Sequence, residues 1–246
     1  MKHAALKMIV LAVAGLAASP AWAVDGVVLI DQNRALAGNV TAGDAPGFPV
    51  NISQPGSYEI SGNLTVPNGV HGIEITASNV TLNLNGFTIA GPPGITLPPE
   101  TVPPLPRSRA ISVLAASNVT ILNGTVTQTI DGIVFTGIAD GHVERIRAIN
   151  NVLRGILLLG NGTISDCVAS NNQVGIQVAP TAQGPIRGSS LRNNDANNNA
   201  SVGIAVECNG VSLTGNTAVG SPAGIRAEGD RNGCSFVNNF VTAVIQ

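Results

Sequence analysis

Between residues 131 and 166 the chain gathers Asp131, Asp140, His142, Glu144, Arg145, Arg147, Arg154 and Asp166. A histidine with a carboxylate two residues away on either side has the makings of a general base and its partner acid. Imidazole titrates nearest neutrality, and a neighbouring carboxylate fixes its tautomer. The arginines offer planar forks that match a carboxylate. On this reading His142, Glu144 and Arg145 carry catalysis on an acidic substrate, and Asp131, Asp140, Arg147, Arg154 and Asp166 bind it. The same residues also read as surface ion pairs. Alignment on the repeat described below puts Asp131 under Arg154 and Arg145 beside Asp166, on coils about 4.8 Å apart.

Two further sets could do chemistry. Glu207 and Glu228 each lie four residues after a repeat glycine, so they stack with like charge, and Ca²⁺ is the cation such oxygens would take. Arg226 and Arg231 stand ready to neutralise them instead, and no other cofactor is implied. Cys167, Cys208 and Cys234 form an odd set with no zinc spacing. A Cys208–Cys234 bridge is one reading, and three small buried residues filling a core is the other.

The elements that hold these residues follow from periodicity. A small residue followed by Ile recurs as Gly72-Ile73, Ala110-Ile111, Gly132-Ile133, Gly155-Ile156, Gly175-Ile176, Gly203-Ile204 and Gly224-Ile225. Apolar residues alternate with period two after each pair, as in Ile176-Gln177-Val178, which is strand patterning. Asn150-Asn151, Asn171-Asn172 and Asn198-Asn199 precede later pairs, at corners where asparagine tolerates a left-handed backbone. Short strands at a period near 22 residues, with no helical segment between them, predict a right-handed parallel β-helix of about seven coils, an all-β solenoid. Its inward file runs through Ile73, Ile111, Ile133, Ile156, Ile176, Ile204 and Ile225, with stacked asparagines as scaffold. The outward positions of the same strands include Leu114, Val134, Leu157 and Leu159, an apolar patch expected to be covered. Its expected cover is the Pro-rich insertion at 91–107, which holds seven prolines, or a partner.

Composition narrows the function classes. The chain is 11% charged and 3% aromatic, with 29 Gly; ordinary soluble domains carry about 25% charge. Lys2, Lys7 and the apolar run Met8–Ala18, followed by Ala21-Trp22-Ala23, read as a signal peptide over 1–23, too short to anchor in a bilayer. Residues 24–70 then form an N-terminal cap region and 71–246 the β-helix. Both lysines lie in the leader, so the remainder carries ten arginines against fourteen Asp and Glu, a net of −4. That balance excludes nucleic acid as a partner, because its affinity comes from clustered cations. The expected location is secreted or periplasmic, or at the cell surface. The apolar ending Phe240–Ile245 leaves the last coil without a polar cap, which allows homo-oligomerisation through that coil.

The segments Gly56–Val66 and Ile73–Ile89, with Ser57-Tyr58-Glu59-Ile60-Ser61-Gly62-Asn63 and Ala77-Ser78-Asn79-Val80-Thr81-Leu82, resemble bacterial exported β-helix repeat proteins of the pectin-lyase-like superfamily. The resemblance implies the fold. It spans polysaccharide lyases, glycoside hydrolases, carbohydrate epimerases and members with no known catalysis, so it assigns no activity. The motif sets of the lyases and polygalacturonases are not matched: Gly141-His142-Val143 and Arg145-Ile146-Arg147 stand side by side, not on separate coils. The expected function is a non-catalytic scaffold or carbohydrate-binding protein for a polysaccharide or cell-surface partner. The alternative is a lyase or hydrolase of an acidic polysaccharide.

Overall fold

In each asparagine doublet the two residues do different work. The first takes a left-handed backbone, with φ of 56°, 57° and 55° at Asn150, Asn171 and Asn198. The second turns inward and is buried, at Asn151, Asn172 and Asn199. Asn172 Oδ1 accepts from the backbone N–H of Asn151 at 2.9 Å and from its Nδ2 at 3.1 Å. Asn199 Oδ1 accepts from Asn172 in the same way, at 3.0 and 3.3 Å. A second ladder runs through Asn194, Asn216 and Asn239, with the Cys167 N–H donating to Asn194 Oδ1 at its head. An amide both donates and accepts, so one residue type repeated at one position satisfies itself from coil to coil.

The strands these corners connect were described from a computed structural model that covers residues 26–96, 107–180, 188–229, 233–241 and 244–245. It is a right-handed parallel β-helix of about seven turns. Ile73, Ile111, Ile133, Ile156, Ile176, Ile204 and Ile225 are direct partners in one ladder. All are essentially fully buried. A second sheet stacks Gly56–Ile60, Val80–Asn83 and the starts of later strands, and a third includes Thr88–Ala90 and Val168–Ser170. One continuous apolar core lies between them. No coil could bury its inward side chains alone, so stacking and core formation are a single event.

The small residue before each Ile has a steric cause. A Cβ on Gly155 would lie 2.7 Å from the Gly175 carbonyl oxygen and 2.9 Å from Asn172 Nδ2; one on Gly175 would lie 2.5 Å from the Gly203 oxygen. The ladder and the glycine file therefore require each other.

Stacking reaches back into residues 26–70. Val27–Ile30 pairs with Gly56–Ile60, and Val50–Ile52 with Ile73–Ile75. The helix Gln32–Ala37, whose first turn is capped by Asp31 accepting from the Arg34 N–H, inserts Ala35 into the core. The opposite end differs. Phe236 is the register partner of fully buried Leu213, yet Phe236 is 45% exposed and Phe240 69%. Cys208 and Cys234 form a disulfide across these last coils, and Cys167 is a free, buried thiol. Of the two cysteine readings, bridged and unbridged, the bridge is the one formed. The signal peptide and most of the Pro-rich insertion, 97–106, lie outside the described residues.

Candidate functional site

Two groups of polar residues compete for the role of site. The first is the predicted catalytic trio, which sits on the second sheet and its corner. His142 is an exposed strand residue paired in register with Thr120 and Thr163. Glu144 follows two residues later on the same outward face, half-buried. Arg145 occupies the corner with φ of 51°, donates from Nε to Asn123 Oδ1 at 2.7 Å and forms an ion pair with Glu144. The alignment of Val143 with Ile164 is observed, but the ion pair expected from it between Arg145 and Asp166 is not formed. Asp166 is also a corner residue, φ 55°, and accepts from Asn193 Nδ2 at 3.3 Å. Arg145 turns to the corner residue Asn123 (φ 58°) of the preceding coil and Asp166 meets the corner residue Asn193 (φ 53°) of the following one, so each is taken by its other neighbour. Asp140 is exposed at another left-handed position, φ 55°, and Arg147 is exposed on the strand beyond the corner.

The second group lies on the outer face of the Gly-Ile sheet. His71, Arg109, Asp131 and Arg154 occupy one position on successive coils: Arg109 and Asp131 are register partners, as are Asp131 and Arg154, and the Arg109 N–H donates to His71 Nδ1 at 3.2 Å. The expected Asp131–Arg154 contact is made, Arg154 Nη1 lying 3.3 Å from Asp131 Oδ1. Arg154 Nε also donates to Gln177 Oε1 at 2.7 Å. On the other side Arg109 Nη1 donates to Ser112 Oγ at 2.9 Å, while its Nε is buried without a hydrogen-bond partner. The Asp131 side chain is 3% exposed and that of Arg154 25%.

Burial dominates the electrostatics here. It raises the Asp131 carboxyl above the usual aspartate range against the pull of Arg154 and Arg109. It lowers the pKa of His71, with the Arg109 charge adding to the effect. Burial likewise disfavours the charged form of Arg109, more than Asp131 and Glu74 favour it. Sequence reasoning found Asp131 and Arg154 but missed Arg109, Ser112, Gln177 and His71. The signal was present: His71 and Arg109 stand two residues before Ile73 and Ile111, as Asp131 and Arg154 do before theirs.

Beside this column, Val134 and Leu157 are 1% and 7% exposed, and Leu114 and Leu159 are half-buried. The outward apolar patch is thus buried to different degrees along its length. The segment expected to cover it lies outside the described residues. Further along the same face, Gln177, Glu207, Arg226 and Glu228 line a shallow pocket. Glu207 and Glu228 are register partners, as predicted. Arg226 takes Glu228, with Nε 3.0 Å from its Oε1. Among the described residues no three of His, Cys, Asp and Glu come together as a metal-holding group.

The family described as periplasmic copper-binding protein (NosD) matches residues 95–245. No curated protein matches. Similar solved structures include two epimerase modules. One is the A-module of the mannuronan C-5 epimerase AlgE4 of Azotobacter vinelandii, at 13% identity over 79% of this chain and 72% of that one, with a TM-score of 0.35. The other is the A-module of AlgE6 from the same organism, at 12% identity over 76% and 75%, with a TM-score of 0.33.

The described residues do not fit the copper of the family description. Copper is held by convergent imidazole and sulfur donors. Here His71 Nδ1 is occupied by a backbone N–H, His142 stands apart on another sheet, two cysteines are oxidised to a disulfide, and Cys167 is buried with its pKa pushed up to about 12 by that burial. The secreted or periplasmic location expected from the leader agrees with the family, and no described helix is long and apolar enough to cross a membrane. With 95–245 matched, more than half of its length, this chain belongs to the NosD family of periplasmic β-helix proteins.

Proposed function

We propose that this periplasmic β-helix is a non-catalytic scaffold that binds an acidic carbohydrate or cell-surface ligand on the outer face of its Gly-Ile sheet. The carrying observation is the state of the predicted catalytic trio. Glu144 is committed to Arg145, and Arg145 is committed to Asn123 on the preceding coil. His142 is exposed on a flat strand surface. A general base needs an orienting partner and a site that excludes water, and neither is supported here.

The family is described as copper-binding. The donor chemistry of the described residues argues for a role that does not pass through copper held by this part of the chain. A Ca²⁺ role for Glu207 and Glu228 is likewise not favoured, because Arg226 already supplies the positive charge at Glu228.

The test is incubation of the full chain with oligogalacturonate and oligomannuronate, following unsaturated product, reducing ends and epimer ratio, alongside retention on immobilised acidic polysaccharide. Retention without turnover is expected. Turnover abolished by His142→Ala would overturn the non-catalytic reading and make the His142 neighbourhood an active site.

A further inference from the structure

We propose that Arg109, beside Asp131 and Arg154 in the column, forms an oxyanion-binding site that takes a carboxylate from the ligand of the scaffold. The inference rests on the binding reading above only for its choice of ligand source. The site itself rests on charge and hydrogen-bond accounting.

Arginine is a donor on every nitrogen and accepts nothing. Arg154 is provided for by Asp131 and Gln177. Arg109 is not. Its Nη1 reaches Ser112, its Nε is buried without an acceptor, and among the described residues no carboxylate comes within ion-pair distance. The charges that act on Arg109 are Asp131 and Glu74 against Arg107 and Arg154. Three arginines thus face two carboxylates, with His71 held toward its neutral form. Arg107 is exposed, leaving one cation of the group at the surface to attract an anion. Arg109 is half-buried and its Nε lacks an acceptor, a debt that a planar two-oxygen anion cancels through Nε and its neighbouring Nη.

The surroundings favour a carboxylate carried on a chain over a free ion. The Gln177 that accepts from Arg154 also lines the pocket with Arg226 and Glu228, so the polar surface continues along the solenoid axis. Its rungs repeat at about 4.8 Å, close to the length of one sugar residue in an extended glycan.

The experiment is isothermal titration of the full chain with oligogalacturonate, with inorganic phosphate and with acetate. We expect saturable binding of the oligouronate that weakens at least about tenfold in Arg109→Gln, the loss of one charge-assisted bond. Arg192→Gln, an exposed arginine on another sheet, should leave it unchanged. Circular dichroism checks the fold. Arg109→Lys, which keeps the charge and loses the fork, should weaken binding several-fold if the glutamine variant fails to fold. Phosphate or acetate binding with the same dependence on Arg109 would support the site and assign it to a free anion. Oligouronate binding equal to wild type in Arg109→Gln, or in Arg109→Lys if only that variant folds, would overturn it, as would no binding of any of the three. Turnover of the oligouronate with Arg109 dependence intact would overturn the non-catalytic reading alone.

Discussion

The Asn151–Asn172–Asn199 ladder and the Arg109–Asp131–Arg154 column both run parallel to the solenoid axis and both flank Gly132 and Gly155. They obey the same rule of hydrogen-bond accounting and come out differently. In the ladder each amide accepts from the coil before it and donates onward, so a neutral group closes on itself. In the column donors outnumber acceptors, and Arg109 Nε is left over. Repetition of an amphoteric group builds scaffold. Repetition of a one-way group leaves a valence that only something outside the column can fill.

The largest break in that comparison is Asn172→Ala. It removes the acceptor for two Asn151 donors and the donor to the Ala148 carbonyl. About 3 kcal/mol should be lost, a fall of roughly 10 °C in Tm, measured by thermal and urea unfolding. Next is Gly175→Ala, whose Cβ meets the Gly203 oxygen at 2.5 Å; displacing the neighbouring coil should cost about 2 kcal/mol. On the column side, Asp131→Leu leaves two arginines facing apolar surface. Because Arg154 keeps a quarter of its side chain in water, the loss should be nearer to about 2 kcal/mol than to the full value for a buried pair. A Leu variant as stable as the parent would mean the column is not structural at all.

A pH effect sharpens the contrast, because the ladder cannot titrate. The His71 pKa is lowered in the folded chain, so its contribution is fully present above the ordinary histidine value of about 6.5. It is lost as pH falls from there through the lowered value, with protonation of the Nδ1 that accepts from the Arg109 N–H. Denaturation midpoints should decline over that window and decline less in His71→Gln. The smallest effect is at Cys167, which stands at the head of the second ladder with a thiol pKa near 12. A thiolate-specific reagent should label it only after unfolding; labelling of the native chain would show that this end of the ladder opens.

Much of the scaffold was legible beforehand. The isoleucine file and the asparagine doublets announce themselves because each turn repeats the same local requirement. The site was legible only in fragments. Asp131 and Arg154 fall in repeats of ordinary length. Arg109 shows its equivalence by standing two residues before Ile111, but nothing in the residue order shows that one of its donors goes unmet. The Arg145–Asp166 expectation failed although its spacing was right, because Arg145 is taken by Asn123 on the coil before it and Asp166 by Asn193 on the coil after it.

The residue order by itself determined the period, the inward file and the corners, since these depend on hydrophobic alternation and backbone preference within a single turn. Which polar groups meet across turns was decided only by stacking. That includes the pairing of Cys208 with Cys234, the partition of Arg145 between Glu144 and Asn123, and the unmet donor on Arg109. The Cys208–Cys234 and Arg145–Asn123 contacts join residues more than twenty positions apart, and their energy depends on which neighbour reaches first and how much water is excluded when it does.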